Sequence, residues 1–157
     1  MILLFHPRAT RPRNCRLPLA VLALAAVLEG REEYEIVDGN LEEKPVEALL
    51  KLIDAHPVQL LGVSTMPGPQ MVSAMEVSRE IRKLRPHVKI VWGGYFPSIY
   101  PDAALNARYV DFIVRGQGED TLLELIDALR GNRPWIQSAG FPTKMRSVCI
   151  AAMLNVR

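Results

Sequence analysis

A chain of 157 residues is long enough for one domain and short for two. Apolar residues make up 49% of it, so a sizeable core can form. With 19 basic against 17 acidic residues the net charge is +2, which argues against nucleic acid as main partner, because phosphate binding needs a clustered excess of Lys and Arg.

The first expected element is a buried strand, "ILLF" at residues 2–5. A loop rich in Pro and Arg follows. Its basic cluster, Arg8, Arg11, Arg13 and Arg16, is read as a solvated loop, the alternative being a site for an anion at a pocket mouth. The apolar run after it gives "RPRNCRLPLAVLALAAVLEG" the outline of a signal peptide. The run is too short to span a bilayer, a strand precedes it and charges follow at once. We read residues 18–28 as a helix buried on most of its surface, opened by Pro18 and closed by Gly30.

A second strand is expected at residues 34–39 and a helix at 45–56, with Val46, Leu49, Leu50 and Ile53 at helical spacing. The third strand covers residues 58–65. An amphipathic helix over 70–86 should turn Met71, Met75, Ile81 and Leu84 inward. The fourth strand is "VKIVWGG" at 88–94 and the fifth "YVDFIVRG" at 109–116. Between them "YFPSIYPDAALNAR" offers at most a turn or two around residues 102–106. The last clear helix is 119–131. Beyond residue 131 the pattern fails. Residues 132–157 are a tail, either a final packed helix over 147–156 or a poorly folded end.

Short Val/Ile-rich strands, apolar on both faces and alternating with helices, indicate a parallel sheet covered on both sides. Five such units predict an α/β, flavodoxin-like (Rossmann-like), doubly wound domain over residues 1–131, with a five-stranded parallel sheet in three α/β/α layers.

Ligands of open parallel sheets bind beyond the carboxyl ends of the strands. Those ends here are His6-Pro7, Asp38-Gly39-Asn40, Ser64-Thr65-Met66, Gly93-Gly94 and Arg115-Gly116-Gln117-Gly118-Glu119. Gly39 is read as a plain turn. Gly93-Gly94 is read as bare backbone that lets a large ligand approach, in preference to a plain turn. "GQGEDT" carries only part of a dinucleotide fingerprint and sits after the wrong strand; Glu119-Asp120 rather begin a helix. A phosphorelay receiver would need carboxylates where this chain has His6 and Ser64, and a Lys after strand five where it has Arg115-Gly116. No hydrolytic constellation stands out. His56 and His87 precede strands, at the edge away from the pocket, and His6 is polar lining rather than a catalyst. Cys15 and Cys149 cannot form a metal or iron–sulfur site alone and suggest free thiols in a reducing, cytoplasmic setting.

Ser64-x-Met66, a gap of 26 residues and then Gly93-Gly94 resemble the "SxL … GG" part of the cobalamin-binding fold. The continuation "GGYFPSIYPDAALNARYVDFIVRGQGEDTLLELIDAL" resembles the N-terminal B12-binding domain of cobalamin-dependent radical SAM enzymes, with Gln117 where Glu is commoner. The resemblance runs from Ile2 to Leu129. It implies cobalamin as cofactor, held by Ser64, Thr65, Met66, Gly93, Gly94, Tyr95, Pro97, Gly116, Gln117, Gly118 and Glu119. The hydroxyls of Ser64 and Thr65 would bond the buried nucleotide tail, and the Pro/Arg loop would lie under the corrin.

Two departures qualify that implication. Methionine synthase-type carriers have a D-x-H-x-x-G loop whose His replaces the lower ligand of cobalt, and Leu19 stands at the corresponding place here. Cobalamin is therefore expected without a protein imidazole. The C-x-x-x-C-x-x-C motif of radical SAM enzymes is absent, so neither an iron–sulfur cluster nor SAM is expected on this chain. The expectation is a cofactor-binding module that does not catalyse alone, from a truncated or frame-shifted gene, with a separately encoded radical SAM barrel as its candidate partner. Partners in nucleic acid or membrane are not expected. The competing expectation is a vestigial or interaction domain that keeps the fold and binds nothing.

Overall fold

The structure, a computed structural model, describes residues 1–10 and 16–131. The strands are β1 (Ile2–His6), β2 (Tyr34–Asp38), β3 (Leu60–Ser64), β4 (Lys89–Gly93) and β5 (Phe112–Ile113). They form one parallel sheet in the order β2-β1-β3-β4-β5. This is the flavodoxin-like order, and the chain reverses direction of winding between β1 and β3.

Alternation along each strand divides the core in two. Leu3, Phe5, Leu61, Val63, Ile90, Trp92 and Ile113 face one cluster. It is closed by α2 (Pro45–Ala55), α3 (Pro69–Leu84), α4 (Tyr95–Ile99) and α5 (Pro101–Leu105). Ile2, Leu4, Leu60, Val91, Phe112 and Val114 face the other, closed by α1 (Leu19–Leu28) and α6 (Glu119–Leu129). β1, β3 and the centre of β4 are thus buried on both sides, which is why they are apolar on both faces, whereas the edge strand β2 buries only Val37 and exposes Glu35.

Several details differ from the sequence reading. Residues 95–105 form α4 and α5 rather than at most a turn or two. The prolines suit these helices: Pro97 lies in the first turn of α4, where its missing N–H has no intrahelical partner to lose, and Pro101 is the first residue of α5. β5 is only two residues long. On α3 the buried stripe is Ala74, Val77, Ser78 and Ile81, with Gln70; Met71 and Met75 are half-buried and Leu84 is exposed. Small residues let α3 lie close to the sheet, and Ser78 Oγ accepts a 3.0 Å hydrogen bond from the Trp92 indole.

The largest correction concerns α1. Only Val21, Ala25 and Leu28 are buried, while Leu19 is 69% exposed and Leu22 39%. An all-apolar helix need not be buried all round: α1 has the sheet on one side and no helix on its outer side among the described residues. The expected tail at 132–157 and both cysteines lie outside the described residues.

Candidate functional site

Two polar latches fix the loop after β1 beside the winding switch point. Asn40, 3% exposed, accepts at Oδ1 from the Ala9 and Thr10 backbone N–H groups and the Thr10 hydroxyl, and its amide donates to Asp38. The Arg8 guanidinium donates to the Gly39 and Glu42 carbonyls at 2.9 and 2.8 Å. Arg8 is therefore a structural cross-link between loops rather than an anion site, while Arg16 is exposed and Arg11 and Arg13 lie outside the described residues. Gly39 is more than a turn: a Cβ there would stand 2.9 Å from the Arg8 backbone nitrogen.

The ends of β3 and β4 are joined in register, Gly62 beside Val91 and Ser64 beside Gly93. Thr65 continues the ladder, its N–H and hydroxyl both donating to the Gly93 carbonyl at 2.8 and 3.0 Å. The Phe96 N–H returns to the Thr65 carbonyl. Gly94 lies in this knot with φ +94° and ψ −159°, a region that is essentially glycine-only, and a Cβ there would meet the Thr65 carbonyl at 2.8 Å. Folding alone therefore requires Gly94. Gly93 differs: its added Cβ would make only ordinary contact with Val114, at 3.8 Å.

Between the sheet and α1 these small residues leave a groove of about 290 Å³. Its floor is Leu4, Gly62, Ser64, Val91 and Gly93, all on the α1/α6 side of the sheet. Ala20, Ala23 and Leu24 of α1 form one wall, and Val114 with Gly116, Gln117, Gly118 and Glu119 the other. The lining is mostly apolar with polar atoms at the rim, a composition suited to a slender ligand with few hydrogen-bonding groups. Glu119 is its charged residue, in the first turn of α6, where the helix dipole favours a carboxylate.

Of the candidate residues, Ser64, Gly93, Gly94, Gly116, Gln117, Gly118 and Glu119 come together around the groove. Thr65 is buried behind it, its hydroxyl held by Gly93. Met66 and Tyr95 are exposed beside it, and Pro97 is buried in α4. The sequence reading missed Gly62 and the α1 wall. Gly62-x-Ser64 carries the signal, since residues two apart on a strand share a face. His6, at the carboxyl end of β1, faces Gln70 Nε2 at 3.4 Å. Burial holds its imidazole below the ordinary value, an effect that the nearby Asp38 carboxylate partly offsets. Among the described residues no cluster of His, Cys, Asp and Glu could hold a metal ion, and no helix is long and apolar enough to cross a membrane.

Known proteins agree with this architecture. The chain is 28% identical over 117 residues to an uncharacterized methyltransferase of Pyrococcus horikoshii, covering 74% of this chain and 25% of that protein. The structure superposes on the radical S-adenosylmethionine methyltransferase TsrM of Kitasatospora setae with a TM-score of 0.72 and 26% identity, over 85% of this chain and 26% of TsrM. It matches OxsB, a cobalamin-dependent S-adenosylmethionine radical enzyme solved with aqua-cobalamin, in fold, with a TM-score of 0.67 and 22% identity over 85% of this chain and 19% of OxsB. The chain thus spans about a quarter of the length of the curated relative. The model of the B12 binding domain matches residues 8–126, most of the chain, and the protein belongs to that family.

Proposed function

We propose that the chain holds cobalamin with its nucleotide tail in the groove between the sheet and α1 and its corrin over the carboxyl edge. The observation that carries this is the groove itself, made by paired small residues at the ends of β3, β4 and β5. Its volume lies near the lower end of ligand pockets, which run from roughly 300 Å³ upward, so it suits a slender tail and not a whole corrin. Ser64 would bond the tail, and Gly93 and Gly116–Glu119 would leave it room. Thr65 would act indirectly by fixing the Gly93 carbonyl.

The edge around the groove suits a large ring. Exposed large apolar side chains stand in the loops and first helical turns that follow β1 to β4, among them Leu17, Leu19, Leu41, Met66, Tyr95 and Tyr100. Apolar side chains exposed together at a ligand edge can mark an interaction site. The arrangement is consistent with a corrin and a further protein body above it, and we assign that body to a radical SAM unit, in a reducing, cytoplasmic setting. Leu19 is the first residue of α1 and no His lines the groove, so cobalt would have no imidazole from this site. When bound, the cofactor supplies redox and methyl-transfer chemistry; this chain's residues position it and keep water from its tail.

Titration with hydroxocobalamin, followed in the visible spectrum, tests the proposal. A spectral change with retention of the cofactor on gel filtration is expected. No change at concentrations on the order of tens of micromolar would favour the second reading, a domain that keeps the fold and binds nothing. That reading has one observation on its side, since Gly94 is explained by folding alone.

A further inference from the structure

The β4–β5 ladder is very short. It pairs Val91 with Phe112 and Trp92 with Ile113, and its last backbone link runs from the Val114 N–H to the Trp92 carbonyl. Beyond that point, among the described residues, no backbone hydrogen bond joins Gly94, on the β4 side of the groove, to Gly116, on the β5 side. One side chain joins them. Ser98, in the last turn of α4, donates its hydroxyl to the Gly94 carbonyl at 2.7 Å and accepts the Gly116 N–H at 2.9 Å.

We infer that Ser98 is a positioning residue for the groove, a clasp that fixes the distance between its β4 and β5 sides where the ladder has ended. This rests on the proposal that cobalamin occupies the groove. Ser98 does not line the groove itself, so it acts through the two glycines. The geometry gives each partner a reason. Gly94 is pressed against Thr65 and held by its neighbours Gly93 and Phe96, both bonded to Thr65, so it forms the fixed side. Gly116, at φ +70°, follows a two-residue strand and has nothing within 4 Å of where a Cβ would be, so it forms the free side. A hydroxyl can donate to one side and accept from the other at once, which neither an alanine nor an amine-bearing side chain can do in the same way. Thr65 plays the matching part between β3 and β4, with its hydroxyl on the Gly93 carbonyl. Hydroxyls thus hold the β4 end on both sides.

The test compares the wild-type chain with Ser98→Ala and Ser98→Thr. Hydroxocobalamin is the probe, with affinity and dissociation rate read from the visible spectrum and Gly116 amide exchange read by NMR without ligand. Ser98→Ala should bind roughly five-fold more weakly, mostly through faster dissociation, as expected for a solvent-reachable hydrogen bond. Its Gly116 amide should exchange faster by a similar factor, and Ser98→Thr should restore both. A merely structural role would lower the melting temperature without changing dissociation. Unchanged Gly116 exchange in Ser98→Ala would overturn the clasp. Equal affinity in Ser98→Ala and the wild type would overturn its role in binding. A wild-type chain that takes up no hydroxocobalamin would overturn the cobalamin proposal and that role with it, while the exchange comparison would still show whether Ser98 holds the wall.

Discussion

Trp92 and Gly93 are neighbours on β4 and point to opposite faces of one sheet. Trp92 is 1% exposed and fills the face covered by α2 to α5, with its indole bonded to Ser78. Gly93 has no side chain, and Gly62, on the same side of the adjacent strand, has none either. On that side the space becomes a groove against α1. Close packing makes a missing side chain costly in a sealed core. The glycines are tolerated because the groove opens at the sheet edge. One face of this sheet supplies stability and the other gives up some of it to make room.

The contrast can be broken at Trp92. Trp92→Ala should cost about 3–5 kcal/mol, from lost burial, a cavity and an unpaired Ser78 hydroxyl, as read by urea unfolding. A loss near zero would show that this face is not the principal core. Gly94→Ala comes next. Its added Cβ meets the Thr65 carbonyl in a glycine-only backbone region, so about 1–3 kcal/mol of stability should be lost. Thermal unfolding would reveal the shift, and no shift would mean that the β3–β4 knot relaxes freely.

Gly93→Leu sharpens the contrast from the other side. The groove and ordinary contact with Val114 should accommodate its Cβ, so the fold should survive with its stability changed only slightly. Hydroxocobalamin affinity should nevertheless fall by about ten-fold or more, because the side chain would occupy the space proposed for the tail. Retained affinity with an intact circular dichroism spectrum would misplace the ligand.

The smallest effect concerns pH. Burial lowers the His6 pKa from 6.5, outweighing the pull of Asp38. The folded state therefore binds fewer protons than the unfolded chain in the window below 6.5. The associated stability is complete above that value and is lost as pH falls through it toward the lower folded pKa. His6→Gln should flatten the decline in stability between about pH 7 and 5, and identical slopes would show that His6 is solvated.

Much of this was legible in the chain. Strand composition and spacing pointed to a parallel sheet, and the winding of that sheet placed ligand chemistry at the strand ends. Ser64, Gly93 and the Gly116–Glu119 segment follow from that rule. Helices α4 and α5 escape the sequence reading because proline in a first helical turn, as at Pro97 and Pro101, resembles proline in a loop. The apolar α1 was misread because composition alone does not reveal how many of its sides are covered.

The sequence by itself determined the class of fold, the edge at which a ligand is expected and the kinship with B12 binding domains. These depend on local periodicity and on residue types at strand ends, which a linear chain records. Only tertiary structure decided which small residues make a groove and which merely allow a turn. Gly93 and Gly94 read alike in the chain. One faces open space beside Val114 and the other is pressed against Thr65, a residue 29 positions earlier. The same is true of Ser98, whose partner Gly116 lies 18 residues away. That kind of meeting is set by how strands and helices stack, and no local pattern encodes it.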